Sequence, residues 1–293
     1  MPDLTDRNRL LAHLHVLIGE RHPVTSPTHL QRAEEYLADT FEQLGLHVST
    51  HPFGAMGGTY HNVIASLLPT HRTQGHGNGM SAAPLILAAH YDTVEGSPGA
   101  DDNASALAVL LEVARRLRHV DRVREVHCIG FCLEEEGFLG SLAYAAELRA
   151  AKRDIAGALV LECVGYASDK DGSQTMPPGT PIAVPTVGNF LAIIGNRASA
   201  ALTASVERAA APHVPIVPLV VPGNGELLPD TRRSDHAAFW HYGFPAVMLT
   251  DTANFRNPNY HRPTDTLETL SLTFLAHVAD AVTAAAAAAL EGT

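Results

Sequence analysis

Carboxylates and imidazoles stand at the ends of apolar runs in this sequence, and their types limit the chemistry they can share. The run "PLILAA" leads into His90, with Asp92 two residues on. "VHCIGFCL" ends in Glu134, Glu135 and Glu136, and "ALVL" ends in Glu162. "GSPGADDNAS" sets Asp101 and Asp102 at the start of a helical pattern, where a helix dipole favours anions. Late in the chain, "NPNYHRPTDT" supplies His261 among turn-forming residues. Taken singly, each has a structural reading: Asp102 as a helix cap, His90 as a satisfied core histidine, His261 as a surface residue. Glu162 resists one, because an unpaired carboxylate after a buried strand is costly. Taken together, imidazoles and carboxylates converging on one point are what a divalent metal needs, and the absence of cysteine from these positions argues against a structural Cys-rich zinc site. Two histidines, an aspartate able to bridge and two glutamates suffice for two ions ~3.5 to 4 Å apart, an arrangement that polarises a carbonyl and activates water.

These residues need elements to position them. Leu30, Ala33, Leu37, Phe41 and Leu44 recur at helical spacing in "PTHLQRAEEYLADTFEQLG", which Gly45 stops. "HVSTHPF" and "HNVIASLL" read as a pair of strands, and "PLILAAHYD" as a strand buried on both faces. Helical and strand-like stretches then alternate: "NASALAVLLEVARRLRHV", "REVHCIGFCL", "GSLAYAAELRAAK", "IAGALVLECVGY". Shorter strands follow at "FLAIIG", "VPIVPLVV" and "PAVMLT", with helices at "ASAALTASVERAAA" and after "SDHAAFW", and a last helix over "TLSLTFLAHVADAVTAAAAAALEG". The expectation is an α/β fold: one domain over residues 1–293, with a mostly parallel central sheet and helices on both faces. In such sheets ligands bind beyond the carboxyl ends of the strands, where the acidic and imidazole residues fall. Residues 69–83 and 166–189, rich in polar residues, Gly and Pro, read as surface loops that shape a substrate pocket.

Composition excludes other classes. The 293 residues are 46% hydrophobic and 17% charged, as in globular proteins. A net charge of -11 with no basic run argues against nucleic acid or an anionic membrane surface as a partner. No stretch reads as a signal peptide or as a membrane helix of ~20 apolar residues. Cys128, Cys132 and Cys163 form no CxxC motif and cannot all pair, which suits a reducing compartment, so a cytoplasmic location is expected.

In this order, "HYDT", "PGADDNAS", "EEEGFLGS", "LECVGY", "SDHAAFW" and "NPNYHRPTDT" resemble the co-catalytic zinc aminopeptidase family, which contains secreted bacterial leucyl aminopeptidases and, more distantly, glutaminyl cyclases. The resemblance runs from about residue 25 to 275. It implies two zinc ions, one held by His90 and Glu162, the other by Glu135 and His261, with Asp102 bridging and Asp101 the alternative bridge. It also implies Glu134 as general base, Asp92 as the group orienting His90, and no role for Glu136. The implied reaction is hydrolysis of the N-terminal bond of a small peptide or aminoacyl amide.

Two departures from the family pattern matter. Glu162 stands where leucyl aminopeptidases usually carry Asp. "LLPDTRRSDHAAFW" lacks the disulfide-held Tyr that precedes the "SDH" of secreted members and helps the oxyanion there. Arg232, Arg233 or His236 could replace it or bind a substrate carboxylate, while Phe239 and Trp240 read as core. The rival readings are a glutaminyl cyclase, which needs one zinc, a non-peptide amidohydrolase, and a silent binding module, which would have lost ligands.

Overall fold

The computed structural model describes residues 4–70, 82–180 and 182–290. Apolar residues spaced three and four apart build helices α1 (Leu4–Leu17) and α2 (Pro27–Gln43), and α2 buries Leu30, Ala33, Leu37 and Phe41. A hairpin follows, β1 (His47–Ala55) with β2 (Gly58–Leu67). Its two-residue turn has positive φ at both Met56 and Gly57, the geometry that matches strand twist. The strands are longer than the apolar runs predict, because Gly54, Gly57 and Gly58 read locally as loop.

The remaining strands are β3 (Leu85–His90), β4 (Val126–Phe131), β5 (Gly157–Glu162), β6 (Leu191–Asn196), β7 (Ile216–Val221) and β8 (Ala246–Thr250). They join the hairpin in an eight-stranded sheet of order β1-β2-β4-β3-β5-β8-β6-β7. β4, β3, β5 and β8 are parallel, whereas β2 and β6 run antiparallel to their inner neighbours. Along β3 the residues alternate between two cores: Leu85, Leu87 and Ala89 face one, Ile86 and Ala88 the other. Helices α1, α2, α3 (Ala106–Leu117), α5 (Ala200–Ala210) and α7 (Leu272–Leu290) cover the first face; α4 (Leu139–Ala150) and α6 (His236–His241) cover the second. The α/β expectation with a mostly parallel centre therefore holds.

Two expectations need correction. α7 is long and apolar enough by composition to cross a membrane, contrary to the reading that no stretch is. It serves here as a core helix, with Phe274, Leu275, Val278 and Val282 buried against α1, α3 and α5. Asp101 and Asp102 do not open a regular helix: Asp102 (φ -106, ψ 87) and Asn103 (φ -134, ψ 31) lie in an irregular turn before α3. Most of the loop at 69–83 lies outside the described residues. The loop at 166–189 carries one isolated bridge, Ser168 to Gly188, and its residues 174–177 wall a cavity beside β6 and β8.

Strand order reverses around β3: the chain passes from β3 to β4 on one side and crosses to β5 on the other. The carboxyl ends of β3, β4 and β5 thus flank a topological switch point, the crevice where open α/β sheets bind ligands.

Candidate metal centre

His90 closes β3 fully buried. Its Nδ1 donates to the backbone oxygen of Asp92 at 3.2 Å and lies 3.6 Å from Asp92 Oδ1, which leaves the Nε2 lone pair free to bind. That Nε2 stands 3.2 Å from Asp102 Oδ1, 3.4 Å from Glu162 Oε2 and 3.9 Å from Glu134 Oε2. His261 approaches from the other side, its Nε2 at 2.9 Å from Asp102 Oδ2 and 3.3 Å from Glu135 Oε2. Its ring stacks on Tyr260 at 3.8 Å. Five of the residues singled out in the sequence, His90, Asp102, Glu135, Glu162 and His261, therefore meet, with Glu134 beside them.

The electrostatics call for a cation. Burial opposes charge on His90, yet Glu134 and Glu162, with Asp102 and Asp92, draw its pKa well above the ordinary value. Burial likewise opposes charge on His261, but Asp102 and Glu135 raise it to about 10. Burial would raise Asp102, and the two imidazoles instead hold it far below the usual carboxylate range. Burial pushes Glu134 well up, and burial with the Asp102 charge pushes Glu135 to about 7. His90 Nε2, both Asp102 carboxylate oxygens and Glu135 Oε1 are buried without a well-formed hydrogen bond. Buried polar atoms are rarely left so. Unpartnered nitrogen and carboxylate-oxygen atoms converging from three chain segments fit a divalent metal.

Backbone contacts set this geometry. The Asp92 carboxylate accepts the N–H groups of Glu134 and Glu135, each at 3.0 Å. Besides orienting His90 it therefore anchors the glutamate loop. Ser234 Oγ donates to Glu162 Oε2 at 2.8 Å, and Cys163 Sγ lies 3.3 Å from Glu162 Oε1. Asp101, the alternative bridge, is turned away: it accepts from Gly165 N–H at 2.8 Å and from Asn257 Nδ2 at 2.7 Å. Gly99 (φ +60) allows the tight approach to this turn, since a Cβ there would strike the Asp102 carbonyl oxygen and Thr93. Glu136 is exposed and 3.5 Å from His22 Nε2, away from the cluster.

Sequence reasoning missed Asp265 and Asp235. Asp265 accepts the N–H of Asp101 at 3.0 Å and that of Asp102 at 3.1 Å, and burial and the Asp101 charge push it up to about 7. It lies inside "NPNYHRPTDT", but nothing local marks its partners. Asp235 is fully buried with both oxygens unpartnered, and burial pushes it to about 7. Its only signal is "SDH", which reads as a helix cap. His236 is buried, donates from Nε2 to the Thr231 oxygen at 2.8 Å and packs edge-on against Trp240, so it faces the fold's interior. Phe239 and Trp240 are core.

The sequence model described as Peptidase family M28 matches residues 62–286. A relative, the Escherichia coli (strain K12) protein described as "Uncharacterized protein YfbL", is 32% identical over 86% of this chain and 78% of its own. A solved zinc aminopeptidase from Bacillus subtilis, BSAP, is 26% identical with TM-score 0.60 over 81% of this chain and 52% of that one. The glutaminyl cyclase of Fimbriiglobus ruber, at 21% identity and TM-score 0.68 over 98% of each chain, shares the fold. Against curated aminopeptidase relatives the chain spans 40% to 51% of their length.

Proposed function

From the premise that this chain belongs to peptidase family M28, we propose that it is a zinc-dependent aminopeptidase with two metal ions and Glu134 as general base. The observation that carries this reading is the pair of imidazole Nε2 atoms facing opposite oxygens of the single Asp102 carboxylate, at 3.2 and 2.9 Å. His90 and Glu162 would hold one ion, Glu135 and His261 the other, with Asp102 shared. When bound, the ions would supply Lewis-acid polarisation of the scissile carbonyl and a lowered pKa for water.

The remaining work falls to the chain. Glu134 is 6% exposed and its Oε2 lies 3.9 Å from His90 Nε2. Burial raises its pKa, which suits a group that takes a proton from attacking water and gives it to the leaving nitrogen near neutral pH. Asp92 fixes the Glu134 backbone, so the carboxylate swings over a limited arc. A free substrate amine would have a metal to ligate at this centre, which an acetylated amine would not. The three cysteines are buried and unpaired, which supports a reducing, cytoplasmic compartment as part of the proposal.

The test is metal analysis combined with turnover on matched aminoacyl amides bearing free and acetylated amines. Two zinc ions per chain and loss of most turnover on acetylation are expected. One zinc with cyclisation of N-terminal glutamine would replace this reading with a glutaminyl cyclase. Equal rates on free and blocked amides would replace it with a general amidase.

A further inference from the structure

The cavity beside the metal centre has an apolar floor of Phe190, Ile194, Val217, Leu219 and Met248, and Glu162 and Tyr260 connect it to the centre. At its rim stands Arg233, the one cation among the described residues lining it. Arg233 is exposed, with a side chain 42% accessible. Its Nη1 donates to Asn254 Oδ1 at 2.9 Å, and its Nη2 to Tyr260 Oη at 3.3 Å. These are neutral oxygens, which orient the guanidinium. Asp230, which also lines the cavity, forms an exposed ion pair with Nη1 at 3.5 Å, a pairing that solvent screens. The guanidinium lies 5.6 Å from the Tyr260 ring centre, and Tyr260 in turn stacks on His261. A planar, oriented cation is thus held one aromatic ring from the reacting centre, at the end of an apolar cavity.

We propose that Arg233 determines specificity by binding a carboxylate of the substrate. The inference rests on the aminopeptidase reading. Of the three basic candidates around the start of α6, the structure selects this one: His236 is buried facing the interior, and Arg232 does not line the cavity. The guanidinium fork matches carboxylate geometry in a way a lone ammonium does not. Two sources offer that group: the C-terminal carboxylate of a dipeptide, and the acidic side chain of an N-terminal residue.

The experiment compares Leu-Leu with Leu-Leu-amide, and Glu-Leu-amide with Gln-Leu-amide, on zinc-loaded wild-type protein, R233Q and R233K. Calorimetric binding of the same four compounds with a reduced peptide bond runs in parallel, and thermal unfolding checks that the variants are folded. In one of the two pairs the carboxylate form should have a KM and dissociation constant lower by roughly ten- to hundredfold, the scale of a hydrogen-bonded charge. That ratio should collapse toward one in R233Q and recover in part in R233K, and the pair that responds identifies the source. Equal binding within both pairs on the wild type, or a preference that survives in R233Q, overturns the proposal. Absence of all hydrolysis with Arg233-dependent binding intact overturns the aminopeptidase reading and leaves this one standing.

Discussion

Asp92 Oδ1 accepts the backbone N–H of Glu134 at 3.0 Å, and its second oxygen takes the next amide along. The end of β3 is thereby tied to the end of β4 through one side chain, and the proposed base and a proposed ligand inherit their positions from it. Replacing Asp92 with Asn keeps the shape but turns one acceptor into a donor facing an N–H. Turnover and zinc affinity should each fall by about 10- to 100-fold, the usual effect of disturbing groups that orient metal ligands. Kinetics with a zinc titration measures both. Unchanged values would remove Asp92 from the site's support.

The three consecutive glutamates should separate under one conservative change. Glu134→Gln removes a proton acceptor, so turnover should drop by roughly 10²- to 10⁴-fold with zinc retained. Glu135→Gln should lower zinc occupancy first, with activity partly restored by excess metal. Glu136→Gln, exposed beside His22, should alter stability by no more than about 0.5 kcal/mol. Zinc content and turnover of all three distinguish base, ligand and bystander. Loss of activity with metal intact in the Glu136 variant would withdraw these assignments.

Metal should also stabilise the fold. A strong chelator should abolish activity and lower the melting temperature, and zinc at about 100 times its dissociation constant should restore about 2.7 kcal/mol. Calorimetric melting with and without chelator tests this. An unchanged melting curve in verified metal-free protein would count against the centre.

His236 makes acid stability a separate measurement. Burial lowers its pKa to about 4, whereas the unfolded chain titrates near the ordinary imidazole value of about 6.5. Between those values the unfolded state holds the extra proton, so stability is present above pH 6.5 and is lost as pH falls toward 4. The loss should reach about 3 kcal/mol. His236→Gln keeps a donor for the Thr231 oxygen and cannot titrate. Denaturant unfolding from pH 7 to 4 should fall more steeply for the wild type than for this variant, and parallel slopes would refute it.

The parts of the site that were legible sit where a local pattern ends. His90, Glu134 and Glu162 follow runs whose burial is written in their own composition, and the switch-point rule then gathers them. Asp265 was not legible, because its partners are backbone amides 163 and 164 positions away, and an aspartate in a turn-rich segment has many ordinary reasons to be there. Asp102 was found for an incomplete reason: its value lies in an irregular turn that faces both imidazoles. The inner ends of the hairpin strands were missed because glycine marks turns more strongly than strands.

The clamp between Asp265 and the Asp102 turn bears on the order of events when the protein is made. The amides that Asp265 holds stand 163 and 164 positions before it, so this contact is non-local and is expected to close late in folding. A chain leaving the ribosome exposes His90 and Asp102 well before His261 and Asp265 exist. Until the turn after the last strand emerges, the nascent chain carries four of the five proposed ligands and lacks the imidazole that faces the second oxygen of Asp102.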